Sequence, residues 1–252
     1  MMTRLIARSL MLSVALAAMV SHDMVTSADA AGVVQLKKGD HVVFIGGTLA
    51  EREQYFGHVE AQFHALHPDL NLAVRNQGFT ADEVRFRPRS LDFGPPDKHL
   101  TLARADVIFA FFGFAESFNG EAGVATFEQE LRDFIAHTAT QNYSGDGAPQ
   151  VVFCSPIAHE DLNNSNLPDG SASNPNIELY TKAMRKVAAE TKTPFVDLFS
   201  LSLELYAANK APLTFNGIHL SEDGYKVFAP AFAKAVFGKS AAPSSISEAM
   251  MS

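Results

Sequence analysis

Residues 106–113 read DVIFAFFG, six apolar side chains in succession between an acid and a glycine. A strand with one face in water alternates apolar and polar residues, so a short unbroken run rich in aromatic and β-branched side chains marks a strand buried on both faces. Such a strand needs helices above and below it, which narrows the chain to an α/β architecture with a parallel sheet. Similar runs recur at 41–46 (HVVFIG), 72–76 (LAVRN), 150–155 (QVVFCS) and 195–199 (FVDLF). Amphipathic stretches separate them. One helix is expected from the first run through Glu53, Phe56, Val59 and Phe63 up to Pro68. Another is expected where Phe127, Leu131, Phe134 and Ile135 recur at i, i+4, i+7 and i+8, and a third over 177–191. Ser221 should cap the last helix, with Glu222 and Asp223 in its first turn. The expected fold class is α/β: a three-layer α/β/α sandwich on a five-stranded parallel sheet, flavodoxin-like, with right-handed crossovers. Loops are expected at 79–100, 158–175 and 210–220.

The residue balance supports a packed domain and removes several functions. Hydrophobic residues are 47% of the 252 and charged residues 19%, enough to close a core. Acids outnumber Lys plus Arg by 28 to 20, a net charge of −8, and no Lys/Arg-rich run occurs, so nucleic acid is not an expected partner. Cys154 is the single cysteine, which excludes an internal disulfide framework. No CxxC or HExxH spacing proposes zinc, and no cofactor is expected.

Residues 1–30 are expected to be a signal peptide. Arg4 and Arg8 form a basic start, residues 10–20 (LMLSVALAAMV) an apolar run, and Ala28-Asp29-Ala30 a small-residue cleavage site. The run is shorter than the roughly 20 residues that span a bilayer, so cleavage, secretion or a periplasmic location, and no stable membrane insertion are expected. Residues 31–238 form the expected domain, and the Ser/Ala-rich residues 239–252 a disordered tail.

In open α/β sheets the chemistry gathers at the carboxyl ends of the strands. The first run ends Gly46-Gly47-Thr48-Leu49, the second Asn76-Gln77-Gly78 and the third Gly113-Phe114-Ala115-Glu116, while NGIHLSEDGY occupies 216–225. This order and spacing resemble the SGNH (GDSL) hydrolase family, and residues 181–199 (TKAMRKVAAETKTPFVDLF) are similar to the family's helix and strand before its histidine block. The resemblance implies an ester or acyl hydrolase with a Ser nucleophile after the first strand, a Gly after the second, an Asn after the third and an Asp-x-x-His pair near the C-terminus. Gly78 and His219 stand at two of those positions.

Three other positions are substituted. Thr48 stands where the nucleophilic Ser is expected, and its branched Cβ is stiff and crowds the attack path. Ala115 replaces the oxyanion-hole Asn, which removes a donor whose loss costs roughly 10²- to 10³-fold. Asn216 replaces the orienting Asp, a change that costs about 10⁴-fold in a serine-protease triad. The implied site is therefore Thr48 as nucleophile or pocket hydroxyl, His219 as base and Asn216 behind it. The backbone amides of Thr48 and Gly78 are expected as oxyanion donors, with Ala115 and Glu116 beside them.

Several neighbours could compensate, and each also has an ordinary structural explanation. Glu116 could carry a proton or be a solvated strand-end acid, and Ser117 could be a displaced hydroxyl or a cap. Asp82 and Glu83 follow Gly78 on the same edge. His159-Glu160-Asp161 could ligate a hard cation through oxygens, although adjacent acids in a polar loop are usually solvated, and no metal is expected. Arg52 could hold an anionic group or pair with Glu51. The function expected is hydrolysis of a small-molecule or carbohydrate ester by an exported enzyme, slowed by the three substitutions. The competing reading is a non-catalytic module that keeps the fold to bind a glycan or another ligand.

Overall fold

The computed structural model describes residues 33–89 and 91–249, so the expected leader lies outside the described residues. Five parallel strands form one sheet in the order β2-β1-β3-β4-β5. They are β1 His41–Gly46, β2 Ala73–Asn76, β3 Val107–Phe111, β4 Gln150–Cys154 and β5 Phe195–Val196. Because side chains alternate across a sheet, the central strands feed two cores. Val42, Phe44, Phe109, Val152 and Cys154 enter one core, with Phe63 from α2 (His58–Leu66) and Phe232 from α7 (Glu222–Phe237). Val43, Ile45, Ile108, Ala110 and Phe153 enter the other, with Leu131 from α4 (Gly120–Thr138) and Met184 from α5 (Asn174–Thr191). The three layers expected from the strand pattern are thus present. Phe63, fully buried, packs edge-on against Phe44 and Phe109 at centroid distances of 5.6 and 5.4 Å. Truncating such a side chain to Ala typically costs about 3–5 kcal/mol.

The elements differ from the expectation where local turns intervene. The single helix expected after β1 is two, α1 (Thr48–Glu53) and α2, because the chain turns at Gln54–Gly57 and Gly57 takes φ 67°. The expected fifth strand shortens to two residues because the Asp197 carboxylate accepts the Ser200 N–H at 3.0 Å and starts α6 (Leu198–Ala208). Part of the expected 79–100 loop forms α3 (Pro96–Ala103), with proline at its start. Ser221 caps α7 as expected, its hydroxyl accepting the Gly224 N–H at 3.0 Å.

Residues 239–249, expected to be disordered, carry a further helix, α8 (Pro243–Ala249), which packs on α2. The buried Gln62 carbonyl accepts the Ala241 N–H at 2.9 Å, so the segment is anchored by an interior side chain. Composition alone does not reveal that tie. Among the described residues no helix is long and apolar enough to cross a membrane.

Candidate active site

The strand ends enclose a small cavity, about 40 Å³, lined by Thr48, Phe112, Phe114, Ile157, Ile218 and His219. Four chain segments therefore converge there: the β1–α1 turn, the turns after β3 and β4, and the turn before α7. Thr48 and His219, 171 positions apart, share this cavity, as the strand-end argument requires. No hydrogen bond joins the two side chains among the described residues.

Thr48 is the first residue of α1, with Gly47 as N-cap. Its N–H therefore has no intrahelical acceptor and lies at the positive end of the helix. The Tyr225 hydroxyl donates to the Leu49 carbonyl at 2.7 Å, which ties α1 to the helix that follows His219. That bond fixes the two halves of the site relative to each other.

His219 is held through Asn216. The Asn216 oxygen accepts the N–H groups of His219 at 3.0 Å and Ile218 at 3.3 Å, which sets the orientation of its amide. Its nitrogen then faces Nδ1 of His219 at 3.0 Å. An amide NH₂ is only a donor, so Nδ1 must accept and the ring proton belongs on Nε2. A carboxylate in this place would impose the opposite tautomer, the one a general base needs. Burial is the first cause lowering the His219 pKa below its ordinary value, followed by the Arg52 cation, with Glu51 opposing. The imidazole is thus neutral near pH 7. Phe215 stacks on the His219 ring at 5.6 Å, and the Arg52 guanidinium lies 4.8 Å over Phe215. Arg52 consequently packs on an aromatic face and does not pair with Glu51.

Two expected oxyanion contributors are absent from the cavity. The Gly78 N–H donates to Asn76 Oδ1 at 2.9 Å, and the Asn76 amide nitrogen donates to the Ala50 carbonyl at 2.6 Å. Gly78 is required by packing: a Cβ there would stand 2.5 Å from the Glu51 nitrogen. It seats α1 against β2. Ala115 does not line the cavity either and presents no polar side-chain atom.

Glu116 is neither solvated nor directed at the cavity. It is buried, with its carboxylate accepting the Val84 N–H at 3.0 Å and the Gly113 N–H at 2.8 Å. Burial pushes its pKa up to about 7, opposed by those N–H groups. Its work is to clamp the loop after β2 onto the end of β3. Ser117 donates to the Phe114 carbonyl, and Asp82 is buried against Arg87 and Arg89. These expected strand-end polar groups are structural because each has a backbone or side-chain partner inside the protein.

Glu160 is likewise not a cation ligand. Its carboxylate accepts from Leu213 N, Thr214 N at 2.7 Å and Thr214 Oγ1 at 2.6 Å, and its own N–H donates to the Gly217 carbonyl. Gly217 takes φ 90° and packs so closely that a Cβ would meet His159 Nε2 at 2.4 Å. Asp161 is exposed and binds the Asn163 N–H. Glu160 is therefore the buried post on which the turn carrying Asn216 and His219 is built. Sequence reasoning missed this, and also missed Asn76 and Tyr225, because a side chain that braces a distant backbone leaves no local pattern.

The parallel α/β/α sheet gathers a hydroxyl and a histidine at its strand ends, the edge where open α/β sheets carry their sites. The chain belongs to the GDSL-like lipase/acylhydrolase family, whose model matches residues 16–227, which makes it an ester-hydrolysing enzyme by class. No curated protein matches it by sequence. Among solved structures it is similar to Axe2, an acetylxylan esterase from Geobacillus stearothermophilus, at 17% identity and TM-score 0.61, over 81% of this chain and 96% of that one. It is also similar to LAE5, an alpha/beta hydrolase enzyme from the metagenome of Lake Arreo, Spain, at 19% identity and TM-score 0.59, over 81% and 97%. At these identities the likeness is one of fold.

Proposed function

We propose that the chain is an exported esterase that removes acetyl groups from hydroxyls of a carbohydrate, with Thr48 as nucleophile and His219 as base. The observation that carries this reading is the cavity shared by Thr48 and His219. At about 40 Å³, a few times the roughly 10–15 Å³ that one water needs, it suits a small acyl group better than a long chain. Phe112, Phe114 and Ile157 are among the residues that line it. The reaction would run from the less populated tautomer of His219, with the proton moved to Nδ1: the Thr48 oxygen would attack the ester carbonyl as the freed Nε2 takes its proton. The alcohol would leave with that proton, and water would then release acetate from the threonyl ester. The basic start, apolar run and Ala28-Asp29-Ala30 support export.

The test is hydrolysis of p-nitrophenyl acetate, butyrate and octanoate by the purified chain. Acetate should be the preferred substrate, and Thr48→Ala and His219→Ala should each abolish turnover. Activity that survives Thr48→Ala would remove Thr48 from the reaction. A second reading, a ligand-binding module on the same fold, is favoured by one feature: the Asn216 amide places the resting proton of His219 on Nε2. A folded wild type that turns over none of the three esters would establish that reading instead.

A further inference from the structure

A second cavity of about 300 Å³ lies between the loop after β2 and helices α3 and α4. It shares no lining residue with the Thr48–His219 cavity. Its volume is at the lower end of the roughly 300–1,000 Å³ typical of small-molecule sites. Ile45, Val84, Leu100 and Phe134 supply apolar wall.

Two arginines are largely buried in its floor. Arg87 and Arg89 are 15% and 12% exposed, and both pair with the same carboxylate, Asp82, itself 1% exposed, at 3.3 and 2.5 Å. Neither arginine forms another ion pair among the described residues; Arg89 also donates to the Gln77 carbonyl at 2.8 Å and lies over the Phe79 and Phe93 rings, and Arg87 lies over Phe112. Asp82 Oδ1 and Arg89 Nε, both buried, lack hydrogen-bond partners, and so does Thr138 Oγ1 in the same wall. Burial lowers the Arg87 pKa and raises that of Asp82, as expected where charged groups are short of compensation. The other acids lie farther out. Asp133 pairs with Arg85 at the surface, and Asp97 accepts from the Tyr143 hydroxyl and contacts His137. Glu130 is half-buried, and burial pushes its pKa up. Exposed charges are screened by water, whereas the two largely buried guanidiniums are not; in the floor they stand beside one lining carboxylate, Asp82, with the buried Glu116 carboxylate behind Arg87.

We infer that this cavity is a second ligand site, distinct from the strand-end cavity, which takes a small monocarboxylate with an apolar body. A guanidinium fork matches a carboxylate, the two buried arginines pair with only one acid of the wall, and the apolar walls would cover the remainder. The inference does not depend on Thr48 being a nucleophile.

Benzoate is the probe and benzamide its neutral counterpart, titrated into the full chain at low salt by calorimetry and by NMR. Benzoate should bind saturably and roughly tenfold or more tighter than benzamide, since charge-assisted pairing is what distinguishes them. The His137 and Tyr143 signals should move while those of His219 do not. Arg89→Gln should weaken benzoate about tenfold and leave benzamide unchanged. Absence of saturable binding, equal affinity for the two probes, or movement of His219 in place of His137 would each overturn the assignment. Should Arg89→Gln not fold, the contrast between the two probes on wild type decides the matter without it.

Discussion

The side-chain nitrogen of Asn216 stands 3.0 Å from Nδ1 of His219, with the amide turned that way because its oxygen holds the N–H groups of Ile218 and His219. One atom's identity, nitrogen where a triad has carboxylate oxygen, therefore decides which ring nitrogen carries the proton.

Asn216→Asp should raise kcat/KM for p-nitrophenyl acetate by on the order of 10²- to 10⁴-fold, because it moves the proton to Nδ1 and frees Nε2 to act as base. The acid limb of the pH–rate profile, expected below pH 6.5 in wild type because His219 is lowered, should shift upward beside the new carboxylate. An unchanged rate in a variant of unaltered Tm would mean that His219 does not act as the base.

Thr48→Ser, combined with Asn216→Asp, should raise kcat further, since it removes the branch at Cβ and leaves the hydroxyl in place. Ala115→Asn should add less than its usual worth because Ala115 does not line the cavity. Steady-state rates for the single and combined variants would separate the three contributions.

Glu53 should make stability fall as pH rises. It is buried, and burial pushes its pKa from 4.5 to about 8, opposed by the N–H groups of Val59 and Glu60. The folded state therefore holds a proton that the unfolded state releases above pH 4.5, so this contribution is whole below pH 4.5 and is lost progressively up to about pH 8. Glu53→Gln keeps the Oε1 acceptor used by Val59 and Glu60 and replaces the unpartnered Oε2. Thermal melts at pH 5 and pH 8 should differ less for this variant than for wild type. An equal difference would mean that Glu53 is ionised in the fold.

Glu160→Ala should cost about 2–4 kcal/mol, because it leaves the buried N–H groups of Leu213 and Thr214 without acceptors. Urea denaturation measures this directly. A loss under about 0.5 kcal/mol would show that the 213–219 turn holds without its post.

Cys154 should be unreactive to a polar thiol reagent in the native protein and fully reactive in denaturant. It is fully buried in β4, and burial drives its pKa well above the ordinary thiol value. Rapid labelling of folded protein would contradict the buried position of that strand.

The sheet was readable because burial imposes a short-range rule: a two-sided strand must be apolar throughout, and 106–113 could hardly satisfy anything else. The last helix was readable for a similar reason, since Ser221 and its acids act within one turn. The breaks within expected elements were less visible. Gly57 and Asp197 end or start helices through backbone geometry and a single cap, and both lie inside runs whose apolar pattern continues past them.

The sequence by itself determined which chemical groups would stand at the strand ends, Thr48, Gly78, Ala115 and His219, because topology places strand-end turns on one edge. Only the tertiary structure decided what each group is free to do. Gly78 gives its N–H to Asn76, Glu116 is a buried clamp, and Glu160 braces a turn more than fifty residues away. Hydrogen bonds are satisfied at about 3 Å between atoms brought together from anywhere in the chain. Residue type and order therefore establish the inventory of donors and acceptors, and three-dimensional proximity assigns the partners.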